Sequence, residues 1–140
     1  MQRHKRLRTL LTLALTLAMV LTLLNWGLPA AGAAAGDFQI VGLKTNNMAN
    51  PIGIDTVTAP RFSWRMESDV IGQCQTAYRI EVAADSAFTQ SVWDTGKAPG
   101  GLSVGIAYAG AALTESTVYY WRVTVWDKDD VPATSDPATF

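Results

Sequence analysis

Apolar and polar positions alternate most regularly from Thr117 to Asp127. Tyr119, Trp121, Val123 and Val125 fall on one face; Tyr120, Arg122, Thr124 and Trp126 fall on the other. A period of two in a run of β-branched and aromatic residues predicts a strand with one buried face. The Leu113, Thr117, Tyr119 spacing suits a tyrosine corner, in which a Tyr at a strand start bonds its hydroxyl to backbone a few residues upstream. Two more stretches alternate clearly. In Arg61–Ser68, Phe62, Trp64 and Met66 share a face; in Thr76–Ala84, Tyr78, Ile80 and Val82 do. Weaker patterns predict strands at Asp37–Thr45, with Phe38, Ile40 and Leu43 inward, at Ser91–Lys97, and at Ser103–Tyr108, with Val104, Ile106 and Tyr108 on one side.

Between these runs lie turn signals. Asn46–Pro60 is rich in Asn, Pro and Gly and reads as a long loop. Ser68–Gln75 is a connection, Asp85–Gln90 a turn or short helical turn with Phe88 as its plug, and Pro99-Gly100-Gly101 a breaker of any element. Asp127–Pro137 is a polar turn region, and Ala138–Phe140 reads as the start of one more strand, cut off by the chain end. Seven short strands with frequent turns and no amphipathic helix beyond the N-terminus predict an all-β fold. The expectation is an immunoglobulin/fibronectin type III-like antiparallel β-sandwich over residues 36–140 with its last strand truncated. Trp64, Tyr78, Tyr119 and Trp121 are its expected structural residues.

Residues 1–35 differ in kind. Arg3, Lys5, Arg6 and Arg8 precede an apolar run from Leu10 to Leu24, followed by small residues ending in Ala33-Ala34-Ala35. Basic, apolar and small-residue regions in this order predict a helical secretory signal peptide. Cleavage after Ala35 is expected, with Ala31-Gly32-Ala33 as a competing site. The alternative is an uncleaved anchor. A spanning helix needs about 20 apolar residues, and Leu10–Leu24 supplies 15. The domain is therefore expected to be secreted or periplasmic, meeting a membrane only through its signal.

Charge and chemistry narrow the function. Downstream of the signal stand seven Lys/Arg and twelve Asp/Glu, a net charge of −5. That balance argues against nucleic acid or an anionic membrane surface as partner. The one histidine, His4, lies in the signal. The mature domain thus lacks the residue that Ser-His and Cys-His nucleophiles and most zinc sites need. No Gly-rich phosphate loop leads into a helix, and no cofactor is expected. Cys74, the one cysteine, reads as a buried small hydrophobe beside Arg79 or Arg65 rather than a reactive thiol. Asp127, Asp129 and Asp130 lack the Gly and the twelfth-position acid of a calcium loop and read as a solvated hairpin turn. Asp94 and Asp127 each follow a Trp at a strand end, but no pocket unites them as acid and base. Trp93, Tyr120 and Trp126 could form an interface or stack on sugar rings; the interface reading is preferred.

Several blocks together resemble a known family: Asn50-Pro51-Ile52-Gly53-Ile54-Asp55, Pro60-Arg61-Phe62-Ser63-Trp64-Arg65, Gly72-Gln73-Cys74-Gln75-Thr76-Ala77-Tyr78-Arg79-Ile80, Val92-Trp93-Asp94-Thr95-Gly96-Lys97, Thr117-Val118-Tyr119-Tyr120-Trp121-Arg122-Val123 and Val125-Trp126-Asp127. In this order they are similar to the N-terminal fibronectin type III-like domain of bacterial α-L-rhamnosidases of glycoside hydrolase family 78, over Phe38–Phe140. The resemblance implies an inverting enzyme whose catalytic acid and base lie in a downstream (α/α)6 barrel. No residue here matches those motifs, so no catalytic residue is carried over. Asp129-Asp130-Val131 stands where a Gly-containing turn is usual, and Ser135-Asp136-Pro137 lacks a Trp-Ser pair. The implied role is structural, with downstream domains of the parent enzyme as partners, and the chain then reads as a fragment or truncated reading frame. The rival is a free-standing secreted module that binds carbohydrate, such as rhamnose-containing glycans, or another surface.

Overall fold

The computed structural model describes residues 38–55 and 58–140; the predicted signal peptide lies outside them. Nine strands are found there: β1 Phe38–Thr45, β2 Arg61–Ser68, β3 Ala77–Ala83, β4 Ser91–Asp94, β5 Ala98–Pro99, β6 Ile106–Ala107, β7 Tyr120–Trp126, β8 Pro132–Thr134 and β9 Ala138–Thr139. Sequence alternation predicts seven; the additional ones are two- and three-residue segments, too short to show a period. All pairings are antiparallel. One sheet runs β1-β2-β6; the other runs β4-β3-β7-β8, with β5 also on β3 and β9 also on β7. No helix occurs among the described residues.

The two inward faces meet in an aromatic and β-branched core. Phe62, Ile80, Val82, Trp121, Val123 and Val125 are wholly buried, and Trp64 nearly so. Phe62 lies 4.5 Å from the Trp121 ring and 5.6 Å from Phe140, which stacks on Tyr119. Tyr78 is half-buried against Trp64, ring centroids 5.5 Å apart. Trp64 Nε1 donates to Gln75 Oε1, and Gln75 Nε2 donates to the carbonyls of Gly100 and Leu102. One buried indole thereby holds two connections to the small sheet. In β1 the alternation changes phase. Gly42 takes a φ of 62° and the register with β2 slips between Val41 and Lys44. This bulge re-aims the strand, so Ile40 and Leu43 both pack on the core despite their odd separation.

β7 is buried strictly on alternate residues. It starts at Tyr120 rather than Thr117 because Ser116, at φ 55°, turns the chain just upstream. Tyr119 forms the expected corner: the Thr114 N–H donates to its hydroxyl at 2.9 Å. Tyr119→Phe is expected to cost about 1 kcal/mol, the worth of one hydrogen bond, while Tyr120→Phe on the opposite face costs much less. Urea unfolding of the two variants measures this; equal losses would contradict the face assignment.

Four local expectations are corrected. The organising strand is not left open: β8 and β9 pair along it from Trp126 to Tyr120, and Phe140 exchanges two backbone hydrogen bonds with Tyr119. Ser135 bridges the break, its N–H donating to the Val123 carbonyl and its Oγ accepting the Val123 N–H. Asp136-Pro137 bulges outward, where a missing N–H does no harm. Ala98–Pro99 pairs with β3 despite the breakers beside it. Val104 is exposed, since only Ile106–Ala107 of its stretch forms a strand. Phe88 does not plug the core; it lies outside the sheet under the Arg122 guanidinium, 4.2 Å away.

Candidate functional site

The outward face of the larger sheet carries the densest charge. Arg79 binds Asp94 with both ends of its fork, at 2.9 and 2.5 Å. Arg122 binds Glu81 in the same manner at 3.0 and 3.1 Å, and Arg79 lies 3.5 Å from Glu81. The register explains it: Glu81 is opposite Arg122 on one side and Asp94 on the other. The Arg79 hydrogen bond holds the Asp94 carboxyl below its ordinary value of 3.8, against a partial desolvation that opposes it; the Gly96 N–H adds to the lowering. A depressed carboxylate stabilises the fold above its unfolded pKa and loses that contribution as pH falls through the folded one. Asp94→Asn is thus expected to lower stability near pH 6 by about 0.5–1 kcal/mol, the range of a screened pair, with a smaller deficit at about pH 3, below the ordinary carboxylate value. Urea midpoints of both proteins at the two pH values provide the check.

The three singled-out aromatics do not form one platform. Trp93 pairs with the core residue Val82 and points inward, edge-on to Tyr108 at 5.0 Å and stacked on Phe62 at 6.2 Å. Tyr120 and Trp126 share the outer face of β7 but stand at its two ends, on the order of 20 Å apart along a strand. The Trp126 ring is covered by the Lys97 ammonium, 4.7 Å from its centroid, and Lys97 also pairs with Asp130.

The acid trio is divided among separate partners. Asp127 is buried; its Oδ1 accepts the N–H groups of Asp129 and Val131, and its Oδ2 accepts Gln73 Nε2 at 2.8 Å. Asp129 pairs with Lys128. Among the described residues no cluster of three or more His, Cys, Asp or Glu is placed to hold a metal ion. Cys74 is exposed, not buried, because Ser68–Gln75 loops out past the sheet end.

A concave feature escapes sequence reasoning altogether. A cleft of about 370 Å³ opens between residues 51–54 and residues 114–118, floored by Tyr119 and Phe140. Ile52 and Val118 stand exposed on its rim. The only sequence signal is the placement of Ile52 and Ile54 within a Pro- and Gly-rich loop.

Residues 40–140 match the family described as the Rha78A-like, N-terminal immunoglobulin domain. The chain belongs to this family. As a Rha78A-like domain it is 43% identical over 93 residues to an alpha-L-rhamnosidase of Streptomyces avermitilis, covering 65% of this chain and 9% of that one. An alpha-L-rhamnosidase of Formosa agariphila is 36% identical over 109 residues, covering 74% and 11%. The crystal structure of Streptomyces avermitilis alpha-L-rhamnosidase complexed with L-rhamnose superposes with a TM-score of 0.69 at 35% identity, over 73% of this chain and 10% of that one. The alpha-L-rhamnosidase from Dictyoglumus thermophilum gives 0.67 at 34%, over 73% and 12%. The chain thus spans about a tenth of the length of the relatives it matches. The resemblance read from the sequence blocks is borne out, and so is the immunoglobulin-like sandwich.

Proposed function

We propose that this domain is the N-terminal accessory module of a secreted α-L-rhamnosidase, and that the parent enzyme hydrolyses terminal α-L-rhamnose from glycosides. The observation that carries the reading is the 43% identity to an alpha-L-rhamnosidase over a segment that is 9% of that enzyme. The module's own chemistry supports an accessory role. Glycoside hydrolysis by inversion needs two carboxyl groups about 6.5–9.5 Å apart with room for water and sugar between them. Here Asp94 is bound to Arg79, Glu81 to Arg122 and Asp127 to its own turn. The module acts by packing against the domains that come after it; rhamnose-containing glycans are the ligands of the whole enzyme. The basic and apolar pattern of residues 1–35 supports export with cleavage after Ala35. On an aryl α-L-rhamnoside, the 140-residue chain is expected to show no turnover and the full-length protein to show it, with the exported form beginning at Gly36. Turnover that co-purifies with the short chain would overturn the accessory role.

A further inference from the structure

The strand register assigns each loop to one end of the sandwich. Thr45 pairs with Phe62, Ala83 with Tyr120, and Phe140 bonds to Tyr119. Residues 46–55, 58–60, 84–90 and 109–118 therefore gather at the same end as Phe140. Phe38, opposite Ser68, lies at the other. The chain enters the sandwich at one end and leaves it at the end that holds the cleft.

The cleft is built rather than incidental. Asn50, held at a φ of 44°, directs its Oδ1 to the N–H of Thr139, which ties one wall to the final strand. Beyond that tie, Ile52 is 101% exposed and Val118 58%. A single exposed apolar residue is ordinary on a protein surface. Two that line one apolar hollow together with Ile54, Tyr119 and Phe140 describe a surface shaped for a partner. The outer sheet face offers no such surface, since its charges are paired and Trp126 is already covered.

The parent protein itself supplies the partner. The matched segment makes up about a tenth of each relative, and its family is described as an N-terminal domain. Polypeptide that continues past Phe140 starts on the floor of the cleft, and five extended residues reach at most about 18 Å. We propose that the cleft seats the segment directly after the domain in the full-length protein, with an apolar side chain of that segment packing between Ile52 and Val118. The inference rests on the reading of the chain as the front module of a larger protein, and it assigns that contact to the cleft rather than to the outer sheet face that carries Tyr120 and Trp126.

The test uses Val118→Asp and Ile52→Asp in the full-length protein and in the 140-residue chain, with limited proteolysis of the stretch after Phe140 as the readout. In the short chain both variants should keep the wild-type urea midpoint, because both side chains are exposed. In the full-length protein they should speed cleavage after Phe140 at least tenfold, while Trp126→Asp should leave it unchanged. An unchanged cleavage rate in the Val118 and Ile52 variants would overturn the proposal. So would a concentration-dependent dimer of the short chain that Val118→Asp dissolves, which would give the cleft to a second copy. Saturable L-rhamnose binding to the short chain that Val118→Asp abolishes would give it to a sugar and likewise overturn the proposal. Rhamnosidase activity is measured on the same preparations. Activity with unchanged cleavage rejects the docking site and keeps the enzymatic reading; faster cleavage without activity does the reverse.

Discussion

Trp121→Ala is expected to cost about 3–5 kcal/mol, the range for emptying a large aromatic site in a core. Trp121 is wholly buried, packed against Phe62 at 4.5 Å, and lies in the strand that β3, β8 and β9 all flank. No single neighbour can collapse into the space, because the strands on either side are held by their own ladders. A domain of this size has only about 5–15 kcal/mol of stability to lose, so the variant should sit near the edge of unfolding at room temperature. Trp121→Phe separates volume from polarity. The indole Nε1–H meets no acceptor among the described residues, and burying an unmet donor is itself unfavourable. Phe removes that donor while keeping most of the ring, so its cost should be about 1–2 kcal/mol, at the low end of large-to-small core changes. Urea unfolding of the two variants measures both; an Ala variant about as stable as wild type would mean that β7 does not centre the core.

The legibility of each part depends on its length and on the contacts that position it. β2, β3 and β7 are seven or eight residues long, enough for a period of two to show, and their inward residues are readable one by one. Phe38, Ile40 and Leu43 can be named as inward only by tolerating a break in the period, and the break is the bulge at Gly42. Trp93 has no readable face because β4 has four residues; its assignment comes from the partner Val82, which no local pattern contains. The final strand misleads for a related reason. Ser135-Asp136-Pro137 looks like the end of an element, yet Ser135 keeps both hydrogen bonds to Val123 and the strand resumes beyond it. The Asp129-Asp130-Val131 departure from a glycine turn is also local. Asp130 adopts a φ of 62°, a conformation Asp tolerates better than most residues. The cleft is not legible at all, since three stretches far apart in sequence form it and each alone is an ordinary loop.

Asp127→Ala carries the second large effect. Sequence alone reads the acids at 127–130 as a solvated turn, and a solvated turn would tolerate the change. The structure gives Asp127 a different standing: it is 3% exposed and accepts hydrogen bonds from Gln73, Asp129 and Val131. The Asp129 and Val131 bonds lie within its own turn and fix the hairpin between β7 and β8. The Gln73 bond reaches back to the connection before β3, 54 residues earlier. Thr76 Oγ1 donates to the Asp127 carbonyl at 2.7 Å, so the same point ties that connection to the hairpin twice. Hydrogen bonds to a charged acceptor contribute about 1.5–3 kcal/mol each, but water can reach the turn amides once the carboxylate is gone. The expected net cost is therefore about 3 kcal/mol, well below the sum of the individual bonds. Asp127→Asn keeps an oxygen for the turn amides but sets its NH2 against Gln73 Nε2, and should cost about 1 kcal/mol, the worth of one ordinary hydrogen bond. Asp136→Ala, exposed in the bulge between β8 and β9, should cost almost nothing. Urea unfolding orders the three, and amide exchange locates the loss: protection at Asp129 and Val131 should fall in Asp127→Ala while β1 and β2 keep theirs. If Asp127→Ala behaves like Asp136→Ala, the turn is held by its backbone alone and the carboxylate has no part in joining the hairpin to the connection before β3.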